Sequence, residues 1–119
     1  MKTNESSENY LETIFTLSHK LPVVRSIDIV HELNFTKASV SIAMKSLRES
    51  GHIIVSDEGY ITLTDSGLSI AKMIYERHTV LTNWLVSMGV PTDIASKDAC
   101  RIEHVISEES INAIKRTMS

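Results

Sequence analysis

Cysteine occurs once in these 119 residues, so an intrachain disulfide is excluded. No apolar run approaches the length of a membrane span. The opening Met1–Glu5 has neither the basic nor the apolar segment of a signal peptide, and with the lone cysteine this sets the expectation of a cytoplasmic protein. Basic excess is also missing. Lysine and arginine number 12 against 15 acids, a net charge of −3, so a nucleic-acid partner would have to be met by local charge. There is no internal repeat and no low-complexity segment. What is present is an ordinary globular composition, 42% hydrophobic, enough for one compact unit or two small lobes.

The few prolines and glycines punctuate helical patterns. Residues 7–19, "SENYLETIFTLSH", space Tyr10, Leu11, Ile14, Phe15 and Leu17 as a helix does, with Ser7 the expected N-cap. Pro22 ends it. Ser26 is the expected cap of a second helix, "IDIVHELN", burying Ile27, Val30 and Leu33, with Ile29 at the edge and Asn34 closing in the left-handed conformation. Thr36 caps a third, "KASVSIAMKSLRES", with Val40, Met44 and Leu47 inward and Gly51 as its stop. "HIIVS" and "YITLT" flank Asp57-Glu58-Gly59 and predict a hairpin. Thr64 or Asp65 opens a long helix, roughly 65–88, ended by Gly89 and Pro91. Thr92 or Asp93 is expected to cap a fifth helix and Ser107 a sixth.

Three helices, a hairpin and three helices predict a mainly α chain: a winged helix-turn-helix domain over 1–63, then a helical domain over 64–119. The third helix carries Lys37, Lys45 and Arg48 and no acid across 36–48. Thr36, Lys37, Ser39 and Ser41 at its start suit phosphates and base edges, and an exposed Ile42 can touch a thymine methyl. A double-stranded DNA partner follows, although the wing tip Asp57-Glu58 is a poor phosphate clamp. A solvated helix or a winged domain used for protein contacts is the bland alternative.

The chemistry-bearing stretch is "SKDACRIEHVIS", residues 96–107. The spacing i, i+3, i+4 is expected to put Cys100, Glu103 and His104 on one helical face. Thiolate, carboxylate and imidazole together fit a first-row transition metal better than magnesium or calcium. His78 on the long helix, and Glu12 with Asn9 on the first, are the other candidate ligands. Taken singly, Cys100 reads as a small buried residue, His78 as a boundary histidine, and Glu103 and Glu12 as solvated charges. A Cys100–His104 nucleophile and base is the enzymatic alternative, but no oxyanion-hole loop accompanies it, and no catalytic role is expected.

"SENYLETIFTL", "TLTDSGLSIAKMIYERHTVL" and above all "DACRIEHVISEES" resemble the diphtheria-toxin-repressor family with its manganese-transport-regulator branch, across nearly the whole chain. The resemblance implies a homodimeric repressor activated by Fe(II) or Mn(II), with Zn(II), Co(II) or Ni(II) able to substitute in vitro. It implies that His78, Cys100, Glu103 and His104 ligate from a dimerisation lobe, and that Asn9 and Glu12 ligate from the DNA-binding lobe. Cys100 matches the iron branch and Glu12 the manganese branch. Positions of an ancillary site in iron-branch relatives fall on Thr82 and Ser96, so that site is not expected in its usual form. Ile42 stands where iron-branch relatives have a glutamine facing bases. The apolar Ile102, Val105, Ile106, Ile111 and Ile114 exceed what a small lobe can bury and point to a two-fold interface. No membrane and no small organic substrate are expected, and a winged-helix regulator that senses no metal is the rival.

Overall fold

In the computed structural model, which describes residues 4–118, six helices and one two-stranded antiparallel sheet follow the expected order. The expectation drawn from Met1–Glu5 lies partly outside the described residues. The elements are α1 (Glu5–Ser18), α2 (Ser26–Leu33), α3 (Lys37–Glu49), β1 (Ile53–Val55), β2 (Ile61–Leu63), α4 (Asp65–Ser87), α5 (Thr92–Ile102) and α6 (Glu108–Met118). They fall into two compact units, residues 1–72 and 73–119.

In the first unit, Tyr10, Leu11, Ile14 and Leu17 of α1 meet Val40, Met44 and Leu47 of α3 in one core. Ile53 and Ile61 enter it from the strands, and Ala71 from the early turns of α4. The inward face of α3 is as its spacing predicts. That of α2 is not: Ile29 is fully buried and Ile27 is 38% exposed. With only eight residues, α2 turns Ile29 to the centre of the contact and leaves Val30 and Leu33 at its flanks.

Two expected caps are also displaced. Asn4, not Ser7, caps α1, its Oδ1 accepting from the Ser7 N–H at 2.7 Å, so the helix starts earlier. Arg25 precedes α2, and its backbone N–H donates to the Asp28 carboxylate at 2.8 Å; Ser26 is already helical. Asn34 does close α2 in the left-handed region, at φ 56°. This sets the short turn into α3, where Thr36 Oγ1 accepts from the Ser39 N–H at 3.1 Å.

The hairpin pairs Ile53 with Leu63 and Val55 with Ile61. Its base is fixed to the start of α4. The Thr64 hydroxyl donates to the Gly51 carbonyl at 2.7 Å and accepts from the Gly67 N–H at 3.2 Å. His52 is buried beside it, with Nδ1 3.0 Å from Ser66 Oγ. The helix can approach this closely because residue 67 has no side chain: a Cβ there would lie 2.0 Å from the His52 carbonyl oxygen.

In the second unit, Leu81 of α4, Ala99 of α5 and Ile111 of α6 form the buried centre, ringed by Val80, Trp84, Ile102, Ile106 and Ile114. Four of the five residues assigned to an apolar excess are therefore used by the unit itself; Val105 stays 76% exposed. Neither Thr92 nor Asp93 caps α5, which begins directly after Pro91 without a side-chain cap. Ser107 does cap α6, accepting from the Ser110 N–H at 3.1 Å.

Gly67→Ala is expected to destabilise the chain by about 1–3 kcal/mol, because the new methyl meets backbone that has no free rotamer to retreat into. Ser69→Ala, on the exposed side of the same helix, should be close to neutral. Thermal or urea unfolding of both variants measures the contrast.

Candidate functional site

The donor cluster is built from α4 and the end of α5. His78, Cys100 and Glu103 bring one ligand atom each within 4.8 Å of one another. His78 Nδ1 lies 3.2 Å from Glu103 Oε1 and 3.8 Å from Cys100 Sγ. The burial of the three differs sharply. Cys100 is exposed, His78 is 24% exposed, and Glu103 has no accessible side-chain surface at all.

The expectation of one helical face carrying Cys100, Glu103 and His104 is corrected here. α5 ends at Ile102, Glu103 is its C-cap, and His104 sits in the turn that follows. The Val105 and Ile106 amides both fold back onto the Ile102 carbonyl at 3.0 Å. Glu103 still reaches His78, whereas His104 does not belong to the grouped donors. The solvated-charge alternative for Glu103 and the buried-thiol alternative for Cys100 both fail on exposure.

Arg77, which sequence reasoning passed over, fixes the turn. Its Nη1 donates to the Glu103 carbonyl at 3.2 Å and to the Ile106 carbonyl at 2.8 Å. One turn of α4 thus holds Glu103 twice: Arg77 takes the main chain and His78 the side chain. A positive side chain at a helix C-terminus also complements the helix dipole. No periodicity marks Arg77, since its partners are main-chain oxygens that only the fold brings near.

A divalent transition metal fits this donor set. Glu103 Oε2 is buried and has no hydrogen-bond partner among the described residues, which is costly for a carboxylate unless a cation completes it. Imidazole, thiolate and carboxylate suit first-row transition metals rather than magnesium or calcium. Asn9 and Glu12 belong to α1 of the first unit, where both are half-buried.

The nucleic-acid candidates lie where the spacing predicts. Thr36, Lys37, Ser39, Ser41, Lys45 and Arg48 are all exposed on or beside α3, and Ile42 is 71% exposed. The Thr36 hydroxyl is engaged as the cap and donates to Ser39 Oγ at 2.9 Å. Beside this face lies an open groove of about 700 Å³, lined among others by Ser7, Tyr10, Phe35, Ser39 and Ile42. Burial pushes the Tyr10 phenol above its usual pKa, so it stays neutral. At the wing, a hydrogen bond from its own backbone N–H, then one from Ser56, holds the Glu58 carboxyl below the usual range. The tip therefore remains anionic into mild acid. Arg25, also unanticipated, stacks its guanidinium 4.8 Å from the Tyr60 ring centre and donates to the Tyr60 hydroxyl at 3.2 Å.

A recognition helix with its wing in one unit and transition-metal donors in the other are the two halves of a metal-responsive transcription regulator. Comparison with known proteins agrees. Residues 2–60 match the iron-dependent repressor N-terminal DNA-binding domain, and residues 64–119 match the iron-dependent repressor metal-binding and dimerisation domain. The chain belongs to the iron-dependent repressor family. It is 31% identical over 111 residues to the transcriptional regulator MntR of Escherichia coli O6:H1, covering 93% of this chain and 72% of that protein. It is 29% identical to the uncharacterised HTH-type transcriptional regulator MJ0568 of Methanocaldococcus jannaschii, covering 94% and 91%. Among solved structures, a manganese-dependent transcriptional repressor in complex with manganese superposes with a TM-score of 0.85 at 26% identity over 93% of this chain. IdeR of T. acidophilum gives 0.82 at 25% identity over 99%. The chain spans about half of each of these two solved chains, 51% and 55%.

Two substitutions separate ligand from scaffold. Glu103→Met should leave the metal-free protein no less stable, and more stable by up to about 2 kcal/mol, because an incompletely compensated buried charge is removed. Arg77→Met should lower stability by about 1–3 kcal/mol, since carbonyls in the turn lose their donor. Calorimetry in chelator reads both; a large loss for Glu103→Met would contradict the burden assigned to that carboxylate.

Proposed function

We propose that this chain is a cytoplasmic homodimeric repressor that binds a double-stranded DNA operator when its second unit holds Fe(II) or Mn(II), and that it controls genes of metal homeostasis. Zn(II), Co(II) and Ni(II) are expected to occupy the same donors in vitro. The observation that carries this proposal is Glu103: a carboxylate without accessible surface or a partner for Oε2, grouped with an imidazole and a thiol in a chain whose other unit is a winged helix. Family membership supports it. No comparable observation favours a regulator that ignores metal.

His78, Cys100 and Glu103 would hold the ion, joined by His104 and by Asn9 and Glu12. Bound metal supplies the positive charge that the thiolate and carboxylate need. Cys100 and the imidazoles bind it in their deprotonated forms, so affinity falls as pH falls. Arg77 holds the Glu103 main chain in the turn through its carbonyl. Metal acts as co-repressor to the extent that it binds the DNA-competent arrangement better than the alternatives.

On the DNA side, Lys37, Lys45 and Arg48 neutralise phosphates, Thr36, Ser39 and Ser41 line the approach, and Ile42 meets the floor of the major groove. Selection from random duplex under anaerobic conditions, with Fe(II), Mn(II), Zn(II) or chelator, tests the whole proposal. Binding that is indifferent to metal would leave a winged-helix regulator without metal sensing. Lys37→Ala and Arg48→Ala should each weaken binding to most sequences and reduce the logarithmic salt slope by roughly 0.9 for each phosphate no longer neutralised. Ile42→Gln should change the preferred sequence instead.

His104→Ala and Glu12→Ala are diagnostic in different ways. Loss of metal-stimulated DNA binding with a folded dimer is the expected result for His104→Ala. For Glu12→Ala, metal should still bind while stimulating DNA binding less. Full stimulation in His104→Ala overturns the site assignment; in Glu12→Ala it ends the proposed coupling through α1 and leaves the site standing.

A further inference from the structure

His78 is contacted at both ring nitrogens. Nδ1 faces Glu103 Oε1 at 3.2 Å and Cys100 Sγ at 3.8 Å, while Nε2 lies 3.4 Å from Ser96 Oγ. Ser96 is half-buried on α5, one turn before Cys100, so one face of that helix presents both a hydroxyl and a thiol to His78.

A neutral imidazole carries one N–H and one lone pair. Without metal, the carboxylate beside Nδ1 favours the proton there, and Nε2 is then an acceptor. A metal held by His78, Cys100 and Glu103 would take the lone pair of Nδ1, the nitrogen that faces the other two donors, and would leave the ring proton on Nε2. The group at Nε2 therefore has to donate in one state and accept in the other. A hydroxyl does both by rotating about its C–O bond. Ammonium and guanidinium groups only donate, an ionised carboxylate only accepts, and alanine does neither.

We propose that Ser96 is a positioning residue for the metal site: it serves both tautomers of His78, donating to Nε2 in the metal-free protein and accepting from Nε2–H in the loaded one. The exchange balances: Nδ1 gives one proton to water, Nε2 takes one from water, and Ser96 keeps its own. A metal-ligating histidine whose second nitrogen has an acceptor is oriented and made more basic, and loss of such a partner typically costs about 10–100-fold in metal affinity. The proposal rests on His78 being a ligand, as set out above.

The test uses the full chain and Zn(II), which is diamagnetic. With ¹⁵N-labelled histidine, long-range ¹H–¹⁵N spectra should show the His78 proton on Nδ1 in chelator and on Nε2 after zinc is added. Ser96→Ala should bind zinc about 10–100-fold more weakly in a chelator competition, with circular dichroism and sedimentation unchanged. Ser96→Thr, which keeps the hydroxyl, should restore affinity. Wild-type affinity in Ser96→Ala overturns the proposal. So does a zinc-loaded wild type in which Nε2 is the metal-bound nitrogen. His78→Ala with undiminished zinc affinity would overturn the ligand assignment itself, a different result from a silent Ser96→Ala beside a damaged His78→Ala.

Discussion

A carboxylate cannot be taken fully out of water without something to answer its charge. Glu103 sits in that position, and the second unit is arranged around it. α4 lends His78 to one oxygen and Arg77 to the main chain, and α5 ends at Ile102, directly before Glu103. The other oxygen has no hydrogen-bond donor among the described residues. A core built only for stability would have put an apolar side chain there, as Leu81 and Ile111 do nearby. The arrangement makes sense as a receptor for a cation, with part of the folding stability given up to keep the donors in place.

The first unit shows the opposite economy. Its polar groups are tied to one another: Thr64 to Gly51 and Gly67, His52 to Ser66, Asp28 to the Arg25 amide. These contacts hold the hairpin base and the turn into α3 in register, and they leave the outer face of α3 free. Lys37, Ser41, Ile42, Lys45 and Arg48 are exposed on it, whereas Thr36 and Ser39 also close the start of the helix. Sequence preference is the property such a surface can change most readily.

The order of elements was legible because long amphipathic patterns and turn residues act locally. Val40, Met44 and Leu47 at helical spacing, Asn34 at a left-handed stop and Ser107 before two acids each announce their structure. Errors came where a tertiary contact decided between neighbours. Ile29 rather than Ile27 faces inward because α2 is too short for its own pattern to settle the matter. Asn4 competes with Ser7 for the same helix start. For the site, residue types singled out His78, Cys100 and Glu103, which the fold brings together, but spacing implied an uninterrupted helix that the chain ends at Ile102. Arg77 and Ser96 left no trace in spacing, since one meets main-chain carbonyls and the other a ring nitrogen on another helix.

The wing tip carries Asp57 and a carboxyl at Glu58 held ionised by local hydrogen bonds, while α3 offers only three basic side chains. Non-specific affinity for duplex DNA is almost entirely electrostatic. In the proposed DNA complex, few phosphates would be neutralised and an acidic tip would face the backbone, so the sequence-independent part of the affinity would be small. Discrimination between an operator and random duplex would then rest on base contacts from α3 more than on charge.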